Sequence, residues 1–153
     1  MKRSIALSLA ALVAALAAPA AQAQFAKASD AIKYRQSGMW ILATHFGRIG
    51  AMVNGKVAFD AKTAADNAAI VAYMSKLPFA GFVEGSDKGE TKAKAKIWTE
   101  RVKFDQDRDN MQAAAAKLAS TAAAPGLTLD QLKAAFGETA KTCKACHDAF
   151  REE

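Results

Sequence analysis

The stretch LDQLKAAFGETAKTCKACHDAF, residues 129–150, decides the fold. Within it Leu129, Leu132, Phe136, Thr139, Cys143, Cys146 and Phe150 recur in alternating steps of three and four. Residues so spaced stack on one side of an α-helix, so the stretch predicts an amphipathic helix that starts near Thr128. Such a stripe must be buried against something, and the rest of the chain supplies the partners.

From Ser29 to about Val53 the apolar residues Ile32, Met39, Phe46 and Val53 recur every seven, with Leu42 and Ile49 between them. This is the seam of a bundle helix. Ser29 or Asp30 is expected to cap its start and Asn54-Gly55 to end it. A second helix is expected from about Thr63 to Leu77, with Ile70, Tyr73, Met74 and Leu77 on its inner side and Pro78 as its stop. The stretch Phe79 to Lys88 contains Gly81, Gly85 and Ser86 and reads as a loop. A third helix is expected from about Thr91 to Ala123, where Ile97, Phe104, Met111 and Leu118 again recur every seven, before Pro125-Gly126 breaks the chain. No stretch shows a convincing strand pattern. Four amphipathic helices with short connections predict an all-α chain, an antiparallel four-helix bundle without internal repeat or second-domain linker.

A chain of 153 residues suits one domain, and its scarcity of Gly (9) and Pro (3) suits helices. Two Cys and two His are too few for a zinc finger or a disulfide-dense scaffold. The opening residues carry a further message. Met1-Lys2-Arg3 is a short positive region, Ser4 to Pro19 is almost wholly apolar, and Ala21-Gln22-Ala23 is a small-x-small cleavage site. In that order they predict a secretory signal peptide over residues 1–23, a mature domain over residues 24–153, and a periplasmic location. The apolar run falls short of the roughly 20 residues of a spanning helix, so no membrane segment is expected in the mature form. Cleavage changes the charge balance from 21 Lys+Arg against 15 Asp+Glu to 19 against 15. That excess is scattered, and its densest stretch, Lys92, Lys94 and Lys96, reads as a solvated helix start. A nucleic-acid binder would show a clustered basic face, so nucleic acid is not an expected partner. A mildly positive surface does suit an acidic redox partner.

The chemistry is concentrated in Cys143-Lys144-Ala145-Cys146-His147, a CxxCH motif and the attachment signature of a c-type haem. Thiols three residues apart on a helix lie about one turn from each other on one side. They can form thioethers with the two vinyl groups along one porphyrin edge. His147, four residues after Cys143, can then reach the iron as proximal axial ligand. Because Cys143 and Cys146 continue the apolar seam, the haem edge would point into the bundle core. A redox dithiol normally opens a helix after a strand, which this chain lacks. A disulfide between consecutive turns would close a very small loop and stabilise little.

The other side of the iron separates the functions. A His or Met there makes a six-coordinate electron carrier, and an apolar side chain leaves the iron open to small gases. His45 lies off the stripe of the first helix and reads as a surface histidine. Met39 is on the stripe and suits either role, while Met52, Met74 and Met111 read as core filler. An enzyme of peroxidase type would want a distal acid–base group, and the distal stripe offers only apolar side chains, so the chain is not expected to be an enzyme.

Several segments of the mature chain resemble the cytochrome c′ family: Ala31 to Ser37, His45-Phe46-Gly47-Arg48, Leu77-Pro78, Ile97-Trp98 and Cys143 to Arg151. A CxxCH close to the C-terminus is specific, because ordinary small cytochromes c carry it near the N-terminus. The resemblance implies one haem c held by Cys143 and Cys146 with His147 as proximal ligand. It places Met39 where a bulky apolar residue blocks the distal side, Arg35 and Gln36 where polar residues contact the haem propionates, Phe82 near the haem, and Arg151 beside the proximal imidazole. Glu90 or Thr91 would also reach a propionate. Six-coordinate relatives place their ligating Met where this chain has Arg35, and a guanidinium cannot ligate iron. The implied function is binding of small diatomic gases (nitric oxide, carbon monoxide) at a five-coordinate high-spin iron, with a part in protection against nitric oxide. Nitric oxide is implied to release His147 and to end on the proximal side near Arg151. The alternative is a six-coordinate electron-transfer cytochrome ligated by Met39 and His147. A homodimer through the first two helices is also implied, and Trp40 is a candidate interface residue. Gly38 is expected to loosen the distal wall, and Glu152-Glu153 to be a solvated tail.

Overall fold

The computed structural model describes residues 24–153, so the expected signal peptide lies outside the described residues. Helix α1 spans Ala28–Val53, α2 Ala61–Met74, α3 Lys96–Thr99, α4 Arg101–Ala122 and α5 Leu129–Phe150, and a 3₁₀ turn lies at Pro78–Gly81. The four long helices pack in a ring: α1 on α2, α2 on α4, α4 on α5, and α5 back on α1. Each helix therefore neighbours its successor, the up-down-up-down order of a four-helix bundle. No helix among the described residues is long and apolar enough to cross a membrane.

Local chemistry explains most of the boundaries. At the start of α5 the Thr128 hydroxyl accepts from the Gln131 N–H (3.3 Å), and the Gln131 side chain accepts from the Thr128 N–H (2.9 Å). This reciprocal capping box satisfies two otherwise orphaned donors. Asp60 caps α2 by accepting from the Thr63 N–H at 2.6 Å. Helix α1 ends as expected: Asn54 bonds back to the Gly50 carbonyl and Gly55 takes φ +68°, a backbone region that glycine enters without penalty. Its start differs from expectation. Lys27 occupies the capping position with no side-chain bond, and Asp30 lies in the first turn, where its charge favours the helix dipole.

Two expectations are overturned by packing. Helix α2 buries Ala64, Asn67, Ala68 and Val71, while Ile70 and Tyr73 are exposed, Tyr73 by 66%. Small alanines let α2 approach both α1 and α4 closely, which the larger residues would prevent. The expected third helix is also shorter at its start. Lys92 to Lys94 are extended and pair with the end of the chain, and Glu100 (φ −115°, ψ 45°) separates α3 from α4. Its stripe of Ile97, Phe104, Met111 and Leu118 is nonetheless buried throughout.

The core has two parts. At one end Ile49, Met52, Ala64, Ala68, Leu118 and Leu132 pack together, with Phe46 and Phe136 stacked at 4.3 Å. At the other end Phe79, Ile97, Phe104, Met111 and Phe150 form a cluster on which Met39, Phe82, Trp98, Cys143 and Cys146 pack. The 3₁₀ turn is pressed against α1 at this second end. A Cβ on Gly38 would lie 2.8 Å from Cγ of Pro78, and a Cβ on Gly81 would lie 2.5 Å from the Ala31 carbonyl oxygen. Gly38 thus makes room for the Pro78 ring instead of loosening the wall. Gly81→Ala is expected to destabilise the fold by about 1–3 kcal/mol, because the added methyl meets backbone that cannot yield. Thermal unfolding checks this, and an unchanged midpoint would refute it.

Candidate functional site

Cys143 and Cys146 are half-buried free thiols on the face of α5 that meets the second core cluster. Burial raises the Cys143 pKa, and burial together with the nearby Asp107 carboxylate pushes Cys146 up to about 11. Both are therefore neutral thiols at pH 7, the opposite of the depressed values of a redox dithiol. Next to them His147 lies at the exposed edge of α5. Partial desolvation and then the Arg151 charge lower its pKa, against an opposing pull from Asp148. A neutral imidazole is the form that can donate a lone pair to a metal.

Across the same cluster, α1 contributes Met39, which is half-buried against it. One turn before Met39, Arg35 is only 3% exposed and no carboxylate among the described residues pairs with it. Its Nη1 donates to the Gly81 carbonyl (2.8 Å) and to the Ser86 hydroxyl (2.7 Å). Its Nη2 donates to the Ser86 carbonyl (2.7 Å) and to the Thr91 hydroxyl (2.8 Å). The guanidinium also lies 4.6 Å from the Phe82 ring centre and 5.8 Å from that of Trp98. Desolvation lowers the Arg35 pKa, opposed by Asp87. Gln36, next to Arg35, donates to the carbonyl of Glu90, next to Thr91, at 2.8 Å. The fold thus brings Arg35, Gln36, Phe82, Glu90 and Thr91 together, and puts Met39, Cys143 and Cys146 around one apolar cluster.

His147 and Arg151 sit on the other side, in a cleft of about 280 Å³ shared with Lys94, Asp148, Glu152 and Glu153. His45 is half-buried, and its Nδ1 lies 2.8 Å from Oδ1 of the buried Asn67. It is held in the α1–α2 contact, a structural place for a residue expected at the surface. Ser86 was not singled out by the sequence. It is fully buried and bonds Arg35 through both its hydroxyl and its carbonyl. A lone serine in a glycine-containing loop gives no signal of that role. Lys103 and Asp107, whose charges act on Cys146, were likewise not expected.

The donor set fits a flat apolar group with acidic arms. Two neutral thiols one turn apart face an apolar and aromatic wall, an imidazole follows, and a buried cation stands without a carboxylate of its own. A buried unpaired charge is costly, and a carboxylate arm would offset that cost.

The comparisons with known proteins agree. The family model described as Cytochrome C′ matches residues 30–151. The chain is 49% identical to cytochrome c′ of Rubrivivax gelatinosus over 133 residues, covering 85% of this chain and 100% of that protein. It is 42% identical to cytochrome c′ of Alcaligenes xylosoxydans xylosoxydans, covering 85% of this chain and 99% of that protein. Among solved structures, cytochrome c prime from Shewanella frigidimarina superposes with a TM-score of 0.81 at 42% identity, covering 85% of this chain and 100% of that one. A nitric oxide complex of a mutant of cytochrome c prime from Alcaligenes xylosoxidans superposes with a TM-score of 0.78 at 39% identity, covering 85% and 99%. The chain spans nearly the whole of these relatives and shares their fold: it belongs to the cytochrome c′ family.

Proposed function

We propose that residues 24–153 form a periplasmic haem c protein that binds small diatomic gases, with residues 1–23 removed on export. The observation that carries this reading is the single wall on which Met39, Cys143 and Cys146 meet, with His147 next in sequence on α5. A haem bound there supplies an iron that takes nitric oxide or carbon monoxide. The nitric oxide complex of the Alcaligenes xylosoxidans relative is in keeping with that chemistry.

The chain's own residues divide the work. Cys143 and Cys146 would hold the haem by two thioethers, each S–H adding across one vinyl group without an external oxidant. His147 presents a neutral ring nitrogen from the exposed edge of α5. Arg35, Gln36 and Thr91 orient the propionate side, with Arg35 neutralising its charge. Met39 and Phe82 exclude water from the distal face. Arg151 shares a cleft with His147 and would stand beside the proximal imidazole as a positive neighbour. Protection against nitric oxide is the role that an open iron serves best, because a change from five to six ligands slows electron exchange. Trp40 (70% exposed) and Tyr73 on α1 and α2, together with Ile41 and Ile70, suit the interface of a homodimer.

The test is an optical spectrum of the reduced, periplasmically expressed protein before and after carbon monoxide. A broad high-spin band that shifts with the gas is the expected result. A sharp low-spin spectrum indifferent to the gas would mean that Met39 ligates the iron and that the protein transfers electrons to a partner. Protein without covalent haem would overturn both readings.

A further inference from the structure

We propose that the end of the chain is a strap that positions Arg151 beside His147, and that the segment Lys92–Lys94 holds it in place. The proposal rests on His147 being the proximal ligand, but not on which gas the iron takes.

Arg151 has already left helix α5. Its backbone is extended (φ −123°, ψ 134°), although its N–H still donates to the His147 carbonyl at 3.0 Å. A chain end leaving a helix frays unless something ties it down. Here the Lys94 N–H donates to the Phe150 carbonyl (3.0 Å) and the Glu152 N–H donates to the Lys92 carbonyl (2.8 Å). These two bonds make an antiparallel bridge that pairs Ala93 with Arg151. The Lys94 ammonium adds a bond to the Asp148 carbonyl at 3.3 Å. Glu152 is solvent-exposed, as expected of the tail, but its main chain closes the bridge.

The segment that holds the strap is itself anchored. The Ala93 N–H donates to the Thr91 hydroxyl (3.1 Å), the same oxygen that accepts from Nη2 of the buried Arg35. Hydrogen bonds thus run from Arg35 on α1, through Thr91 and Ala93, to the residues that flank His147. Lys94, Arg151 and Glu152 line the cleft into which His147 opens. With the strap closed, Arg151 is fixed at the proximal edge. With it open, only the N–H bond to the His147 carbonyl would hold Arg151. Arg151 is thus a residue beside the ligand, and the main chain of Lys92, Lys94 and Glu152 is its positioning frame.

Glu152→Pro isolates the bridge in the full-length haem-loaded protein. It removes one N–H donor, and the extended Arg151 is compatible with a following proline. Glu152→Gln changes the same side chain but keeps the donor. Two readouts are taken without any gas: hydrogen exchange of the Lys94 amide, and the iron–histidine stretching band of the reduced protein. In Glu152→Pro the Lys94 amide is expected to exchange roughly fivefold to tenfold faster, and the band to shift or broaden, with Glu152→Gln matching the wild type. An unmoved band, an unmoved exchange rate, or a glutamine variant that behaves like the proline variant would overturn the strap. A wild-type protein without an iron–histidine band would instead overturn the ligand assignment on which the strap depends.

Discussion

Replacing Met39 by alanine is expected to raise the rate of carbon monoxide binding by about 10- to 100-fold. The estimate comes from what the incoming ligand must move. Met39 lies half-buried against the cluster that includes Cys143, Cys146, Phe82 and Phe104. Displacing an apolar side chain of that size from such contacts costs about 1.5–3 kcal/mol, and each 1.4 kcal/mol in a barrier is tenfold in rate. Truncation to Ala removes the obstacle in advance. Flash photolysis or stopped-flow mixing reads the rate directly, and one equal to wild type would sink the distal block. Met39→Leu serves as the companion variant. Leucine keeps the bulk but has no sulfur, so a blocking role predicts slow binding and an unchanged high-spin spectrum. A ligating role predicts that Met39→Leu converts a low-spin spectrum to a high-spin one.

The parts of this molecule that could be read from sequence are those fixed by neighbours in sequence. The stripe of α5 and its start near Thr128 are local, and so are the seven-residue recurrences of α1 and α4. The thiol pair and His147 were legible for the same reason, as three residues within one turn and a half of helix. What escaped depends on distant partners. Alanines count for little in a hydrophobic pattern, yet Ala64 and Ala68 form the inner face of α2 because other helices pass close by. Nothing near Lys92 announces an extended segment, since its partners Phe150 and Glu152 lie at the far end of the chain. Gly38 looked like a weak point within α1 until Pro78 was seen to occupy the space beside it. The roles of Gln36, Glu90 and Thr91 came from resemblance alone. The structure adds two neighbouring bonds between α1 and this segment, Arg35 to the Thr91 hydroxyl and Gln36 to the Glu90 carbonyl.

Arg35→Met is expected to destabilise the protein by about 3 kcal/mol or more, equivalent to a fall of roughly 10 °C in melting temperature. The methionine keeps much of the volume and removes the charge, so the loss isolates the polar network. Four acceptors then lose a donor: the carbonyls of Gly81 and Ser86 and the hydroxyls of Ser86 and Thr91, of which Gly81 keeps the Ser86 hydroxyl (3.2 Å) and Thr91 keeps the Ala93 N–H (3.1 Å). Ser86 is fully buried, and a buried acceptor left unpaired costs about 1–3 kcal/mol. Relief of the guanidinium's own desolvation offsets part of this, which keeps the estimate below the sum of four bonds. Arg35→Lys should recover only a fraction, because an ammonium cannot span the Gly81, Ser86 and Thr91 acceptors with one planar fork. The order wild type, Lys, Met in thermal unfolding is therefore the signature of a residue that pins the Gly81–Thr91 loop to α1. If Arg35 served only a bound carboxylate, Lys would keep the charge and melt with the wild type. The same experiment bears on the site, because Phe82 and Trp98 pack against both the guanidinium and the cluster that carries Cys143 and Cys146. A loop released from Arg35 loosens that wall, so Arg35→Met should also broaden the visible spectrum of the haem-loaded protein at temperatures well below its melting point.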